Sequence, residues 1–254
     1  MLMLTAAVLA ALQGTAQDPE FRWTGNLAAG KTLEVRGING NVSAAATSGR
    51  EARVTAMKRS RRSDISSVEI RVEERADGVI ICAVYPAQRD NEGCSERRHR
   101  NGGDNDNNDV TVNFTVEVPA GVKFVGRTVN GNVEGTDLAA DASISTVNGN
   151  AEVSTSGMAE ATTVNGNVTV TVGRADWSGL AEYHTVNGDV TVILPGSTST
   201  EVSASTVNGD ISTDFPLTIQ GRFGPRRVSG TIGNGGRSLS LKTVNGSIAI
   251  ERGG

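Results

Sequence analysis

Apolar residues in this chain fall into short runs that alternate with polar ones and are interrupted by turn-forming residues. Val68, Ile70 and Val72 alternate with Glu69, Arg71 and Glu73. Val110, Val112, Phe114, Val116 and Val118 alternate in the same way up to Pro119-Ala120-Gly121. A period of two marks a strand with one buried face. Asp77-Gly78 separates the first run from the apolar stretch Val79 to Tyr85, which predicts a hairpin. Leu33 and Val35, then Ile38 and Val42, surround the first Asn-Gly pair. No segment has helical periodicity, so the pattern predicts an all-β protein.

From Gly126 onward the alternation becomes a repeat. Thr-Val-Asn-Gly occurs with its Asn-Gly at Asn130-Gly131, Asn148-Gly149, Asn165-Gly166, Asn187-Gly188, Asn208-Gly209 and Asn245-Gly246. Gly37-Ile38-Asn39-Gly40 and Arg227-Val228-Ser229-Gly230 read as degenerate copies. Apolar positions two apart follow each corner, as in Val168 and Val170, Val190 and Val192, and Ile248 and Ile250. Each unit is therefore strand, Asn-Gly corner, strand and variable connection, and a period near 20 residues marks one supersecondary unit used repeatedly. In such chains function resides in an extended surface more often than in one pocket.

Two architectures fit this unit. Asn-Gly between alternating apolars is a strong hairpin signal, which would give an antiparallel meander or sandwich. Alternatively each unit is one coil of a single-stranded β-solenoid, with Thr, Val, Asn and Gly stacked in columns ~4.8 Å apart and Asn amides laddered between coils. A hairpin has no need of Thr-Val before every turn, so the repetition favours the solenoid. The chain divides into a leader over residues 1–16, an N-terminal β region over 17–126, and the repeat region over 127–254, the last two continuous as one domain.

Composition narrows the function. Aromatic residues make up 4% of the chain and glycine numbers 31, which suits a thin structure with many turns. The net charge is −4, so nucleic acid, whose binders carry a basic excess, is not an expected partner. Leu2 to Leu12 is an apolar run ending in Gly14-Thr15-Ala16, the pattern of a signal peptide cleaved after Ala16. The run is shorter than the ~20 residues a spanning helix needs, and no later segment is apolar enough to cross a bilayer. Leu194-Pro195-Gly196-Ser197-Thr198 reads as a turn. In an exported chain Cys82 and Cys94 are expected to form a disulfide, worth ~3 kcal/mol in the chain-entropy model. It would clamp residues 88–109, a basic then Asn/Asp-rich stretch read as a flexible loop.

These residues resemble a bacterial putative-adhesin β-strand-repeat family, a domain of unknown function related to the head GIN adhesin domain. The resemblance rests on Gly37-Ile38-Asn39, Val116-Glu117-Val118-Pro119-Ala120-Gly121-Val122, the serial Thr-Val-Asn-Gly, and the ending Asp214-Phe215-Pro216-Leu217 with Gly221-Arg222-Phe223-Gly224-Pro225. It implies an exported, envelope-associated β-solenoid, in the periplasm or on the cell surface, and brings no catalytic residues.

Candidate chemistry is sparse. Turn chemistry accounts for both residues of the Asn-Gly corners, so these are read as structural, with binding of a repetitive glycan as the competing reading. Asp104, Asp106, Asn108 and Asp109 offer oxygen atoms for calcium but lack the glycine and terminal carboxylate of an EF-hand loop. Lys58-Arg59-Ser60-Arg61-Arg62 and Arg97-Arg98-His99-Arg100 are charge runs that read first as solvated faces. His99 and His184 belong to no nucleophile motif. The expectation is thus a non-enzymatic envelope adhesin or scaffold with no cofactor or metal. Its partner would be an envelope polysaccharide or surface protein, and the last coil, at Ile248 and Ile250, could pair edge to edge with another copy. Two alternatives stand beside it. One is a carbohydrate-active β-helix enzyme using acids such as Asp176, Asp189 and Asp210. The other is an envelope-stress accessory protein that binds a membrane partner through its basic segments, Arg97, Arg98 and Arg100 among them.

Overall fold

The structure, a computed structural model, describes residues 11–13, 19–86, 94, 108–174, 177, 179–219 and 226–253. The N-terminal strands are β1 (Ala11–Gln13), β2 (Glu20–Asn26), β3 (Thr32–Arg36), β4 (Val42–Thr47), β5 (Glu51–Arg59), β6 (Glu69–Arg75), β7 (Gly78–Val84) and β8 (Thr111–Pro119). The first repeats supply β9 (Lys123–Arg127), β10 (Val133–Leu138), β11 (Ala142–Ser145), β12 (Ala151–Thr155), β13 (Ala159–Thr162) and β14 (Val168–Val172). Then follow β15 (Leu180–His184), β16 (Val190–Pro195), β17 (Thr200–Ser205), β18 (Ile211–Thr213), β19 (Leu217–Ile219), β20 (Arg227–Ile232), β21 (Ser238–Lys242) and β22 (Ile248–Gly253). The described residues contain no α-helix; a 3-10 turn stands at Ile65–Ser67. None of their helices is long and apolar enough to cross a membrane.

These strands form two mixed sheets of 11 strands each. One runs β1-β2-β5-β8-β4-β10-β12-β14-β16-β22-β18, the other β19-β20-β17-β21-β15-β13-β11-β9-β3-β7-β6. Each Asn-Gly corner carries the chain from a strand of the second sheet to one of the first. The strands on either side of a corner therefore do not pair with each other, and the hairpin reading fails for the repeats. Pairing is instead parallel between like positions of successive units: Val133 with Ala151, Ala151 with Val168, Val168 with Val190, and Val190 with Ile248. Antiparallel pairing is kept for the ends, in β2–β5–β8, in the expected β6–β7 hairpin, and in β17–β20–β19. Inward residues of both sheets form one apolar cluster that extends from Trp23 to Ile250.

Three expectations are corrected here. Arg227-Val228-Ser229-Gly230 is no corner: it begins β20, where Ser229 lies opposite Ser203 in an antiparallel pair. Ile248 and Ile250 do not lie on an open edge. The C-terminal β22 is inserted between β16 and β18, and β21 likewise between β15 and β17. The last unit of the chain is therefore the penultimate one of the stack. Pairing length explains the order, because β22 matches β16 over Val190–Pro195 whereas β18 pairs with β22 over Ile211–Thr213 alone. A short strand flanked by Asp210 and Asp214 is the better terminus, since brevity and charge both discourage another chain from adding on. Third, Lys58 is not part of a solvated basic face: it is 4% exposed, and its Nζ donates to the Val68 carbonyl.

Ala11–Gln13, part of the expected leader, pairs antiparallel with β2. The rest of the leader, most of the 88–109 loop with Arg97, Arg98, His99, Arg100, Asp104 and Asp106, and also Asp176 and the 221–225 motif, lie outside the described residues.

Candidate functional site

The corners build the most regular feature of the molecule. At each one the chain must reverse between sheets, and glycine takes a positive φ, +151° at Gly166 for example. A Cβ at Gly166 would lie 2.0 Å from the carbonyl oxygen of Gly149 on the next corner. Stacking at rung spacing, not the turn alone, thus demands glycine.

The neighbouring residues bind rung to rung. Asn130 Nδ2 donates to Asn39 Oδ1 at 2.9 Å, and the same bond recurs from Asn148 to Asn130, Asn165 to Asn148, and Asn187 to Asn165. The row continues out of sequence order, from Asn245 to Asn187 and from Asn208 to Asn245. One residue past each glycine a second row forms. Asn41, Asn132, Asn150, Asn167 and Asp189 each accept, through Oδ1, the backbone N–H of the equivalent residue one rung on. The threonines make a third row, Thr146 Oγ1 donating to the Gly131 carbonyl and Thr163 Oγ1 to that of Gly149, each at 2.8 Å. The first rung is closed by β8, where Asn113 Oδ1 accepts from the Asn41 amide. Beside it the Tyr85 hydroxyl donates to the Val110 carbonyl at 2.8 Å, and burial pushes that phenol up to about 12.

Sequence reasoning singled out the Asn-Gly pair and passed over the second and third rows. Their signal was present in the consensus, as the Asn/Asp after glycine and the invariant threonine. The remaining corner residue points outward at four corners, where Val129, Val147 and Val164 are 37–39% exposed and Val207 53%, whereas Val186, Val244 and the equivalent Ile38 are half-buried. Each ladder amide has two N–H groups and gives one to its neighbour, which leaves the other for solvent. The corner edge thus displays a polar N–H at every rung, ~4.8 Å apart, with an exposed valine beside it at Val129, Val147, Val164 and Val207.

Other candidates resolve differently. Cys82 and Cys94 are joined, with Cα atoms 5.8 Å apart, and together with Ile80 and Val84 form a small apolar cluster outside the main core. Cys94 is also held through its backbone, its N–H donating to Glu73 and its carbonyl accepting from Arg36 at 2.8 Å. Asp109 is committed elsewhere than to calcium. Its carboxylate accepts from the Ser63 amide at 2.8 Å and from those of Arg61 and Arg62, while Asn108 Nδ2 donates to the Ser67 hydroxyl. The described residues contain no group of three or more His, Cys, Asp or Glu side chains able to share a metal. Asp189 and Asp210 lie on either side of Ser247 in the second row, two rungs or ~10 Å apart, so they do not converge on one point. His184 stands in register with Thr162 and Lys242 on β15.

The Asp109 contacts carry a pH prediction. The Ser63 amide, followed by those of Arg61 and Arg62, holds this carboxyl down at about 2, below its ordinary 3.8. A depressed carboxyl stabilises the fold above its unfolded value and loses that contribution as pH falls through the folded one. The 61–63 turn is expected to loosen between about pH 4 and pH 2. Amide shifts of Ser63 followed by NMR should titrate in that window, and Asp109→Asn should remove the titration; a Ser63 amide that does not move would refute the anchor.

Residues 30–251 match the family model described as Toastrack DUF4097. Among solved structures, a putative cell adhesion protein from Clostridium sporogenes ATCC 15579 is 12% identical, with 97% of this chain and 100% of that one covered and a TM-score of 0.47. A putative adhesin from Bacteroides fragilis NCTC 9343 is 11% identical, with 92% and 96% covered and a TM-score of 0.34. The sequence matches none of the curated proteins with which it was compared.

Proposed function

The chain belongs to the Toastrack DUF4097 family, and from that premise we propose that it is a non-enzymatic protein of the bacterial envelope. On this reading it is an exported β-solenoid, one continuous unit from the N-terminal region through the repeats, with the 88–109 loop tethered by Cys82–Cys94. It presents its corner edge to an envelope polysaccharide or surface protein. The observation that carries the reading is the row of amide N–H groups left free, one per rung, with Val129, Val147 and Val164 exposed on successive rungs. A ligand that repeats along its own length can meet many such weak contacts at once, and linked contacts raise affinity without any strong single one. The disulfide supports an extracytoplasmic setting, because such bonds persist in oxidising compartments.

Co-sedimentation of the oxidised chain with envelope fractions and insoluble polysaccharides, across a salt series, tests this. Binding should resist salt and fall about tenfold in Val147→Glu/Val164→Glu, which removes apolar contact and adds charge on the edge. Binding that the double substitution leaves intact, or that vanishes with moderate salt, would place the contact surface elsewhere.

A further inference from the structure

The edge opposite the corners, where β2 and β8 of the first sheet lead to β3 and β9 of the second, holds a cleft of about 770 Å³. Four connections converge on it: β2–β3, β4–β5, β6–β7 and β8–β9. Its apolar lining comes from Leu27, Val79 and Pro119, and its charges from Lys31, Arg50, Glu74 and Arg75. Volumes of roughly 300–1,000 Å³ with an apolar lining and a few convergent polar groups are those of small-molecule sites.

The charges are unequally occupied. Arg75 is paired with Glu73 at 3.2 Å, so its charge is largely answered. Lys31 Nζ gives one hydrogen to the Ala76 carbonyl at 2.6 Å, which leaves two donors and the full positive charge. Arg50 makes neither an ion pair nor a hydrogen bond among the described residues, on a turn where its side chain is exposed. Against these two available cations the lining sets one carboxylate, Glu74. An apolar floor with surplus positive charge at its rim complements a molecule that has an apolar tail and a negative head. The tail gains by leaving water, and the head gains from the Arg50 fork and the Lys31 ammonium.

We propose that this cleft binds an amphiphile with an anionic head group, a carboxylate or a phosphate, with its alkyl chain on Leu27, Val79 and Pro119 and its head against Arg50 and Lys31. The site is independent of the corner edge and of the function proposed for it, since it lies on the other side of the stack and uses none of the repeat residues.

Isothermal titration of the oxidised chain with monomeric dodecanoate, dodecyl phosphate and neutral dodecanol is the test. One or both anionic amphiphiles should bind, with dodecanol about tenfold weaker. Arg50→Glu should weaken the anionic ligands about tenfold, leave dodecanol unchanged, and not shift thermal unfolding, because Arg50 supports no neighbour. Preference for dodecyl phosphate would point to phospholipid as the source, preference for dodecanoate to free fatty acid. Equal binding of dodecanol and the anions, indifference of the anions to Arg50→Glu, or no binding of either anion below about 1 mM would overturn the proposal.

Discussion

Gly166→Ala is expected to destabilise the protein by about 3–5 kcal/mol, at the upper end of what single substitutions do. Two costs add. The backbone at Gly166 has φ +151°, a region that residues with a Cβ rarely enter. The new methyl carbon would also lie 2.0 Å from the Gly149 carbonyl oxygen, with no flexible side chain able to give way. Relief requires the two rungs to part, which breaks the Asn165–Asn148 bond and the Thr163 bond to the same carbonyl. Gly236→Ala is the matched control. Its φ is +99°, but nothing stands within 4 Å of the added carbon, so only the conformational cost of about 1 kcal/mol applies. Urea midpoints of the two variants decide the matter. Equal destabilisation would mean that the corners need glycine for the turn alone and that stacking adds nothing.

Ending the chain at Arg237 should have a larger effect still. Residues 238–253 do not cap the stack but fill its interior. β21 pairs with both β15 and β17, and β22 with both β16 and β18. Leu239, Leu241, Ile248 and Ile250 are all buried there. At roughly 1.5–3 kcal/mol for each such side chain, their loss alone approaches the entire stability of an ordinary domain. The ion pair between Lys242 and Glu182 and the contact of Arg252 with the Phe215 ring go with them. The truncated chain is expected to expose residues 180–213 to limited proteolysis and to lose its cooperative thermal transition. A single transition within a few degrees of the full chain would show instead that the 200–213 unit moves onto the 180–195 unit directly, Asn208 taking the place of Asn245. The residue types at every corner position would allow such a shift, so the observed order rests on strand length and the side chains around it.

What could be read in advance follows from where the determinants lie. Strands were legible because a buried face imposes period two, as in Val112, Phe114, Val116 and Val118, all buried. The β6–β7 hairpin was legible because Asp77-Gly78 is local turn chemistry. Parallel register was suggested by residues a hairpin does not require, the threonine and valine before each Asn-Gly. The swap of the last two units was not legible, since their corners are chemically alike and the choice depends on distant pairing with β16. Ser229 was misread for a similar reason: Val-Ser-Gly resembles a worn corner, yet its partner, Ser203, lies on an antiparallel neighbour. The return-edge cleft was invisible too, because its lining comes from four separate connections. Asp109 looked like one of several loop acids until its three backbone donors were in place.

The insertion of β21 and β22 also bears on when the molecule can finish folding. A chain made from its N-terminus stacks its early rungs in the order they appear, each new unit meeting a completed one. At Asn208 that correspondence breaks, because the rung that belongs beneath it has not yet been made. The final architecture waits for residues 238–253, so the stack stays incomplete at that point until they have been made. On the export proposed above, in which the chain crosses a membrane extended, such a delay postpones closure of the stack until residues 238–253 are available on the far side.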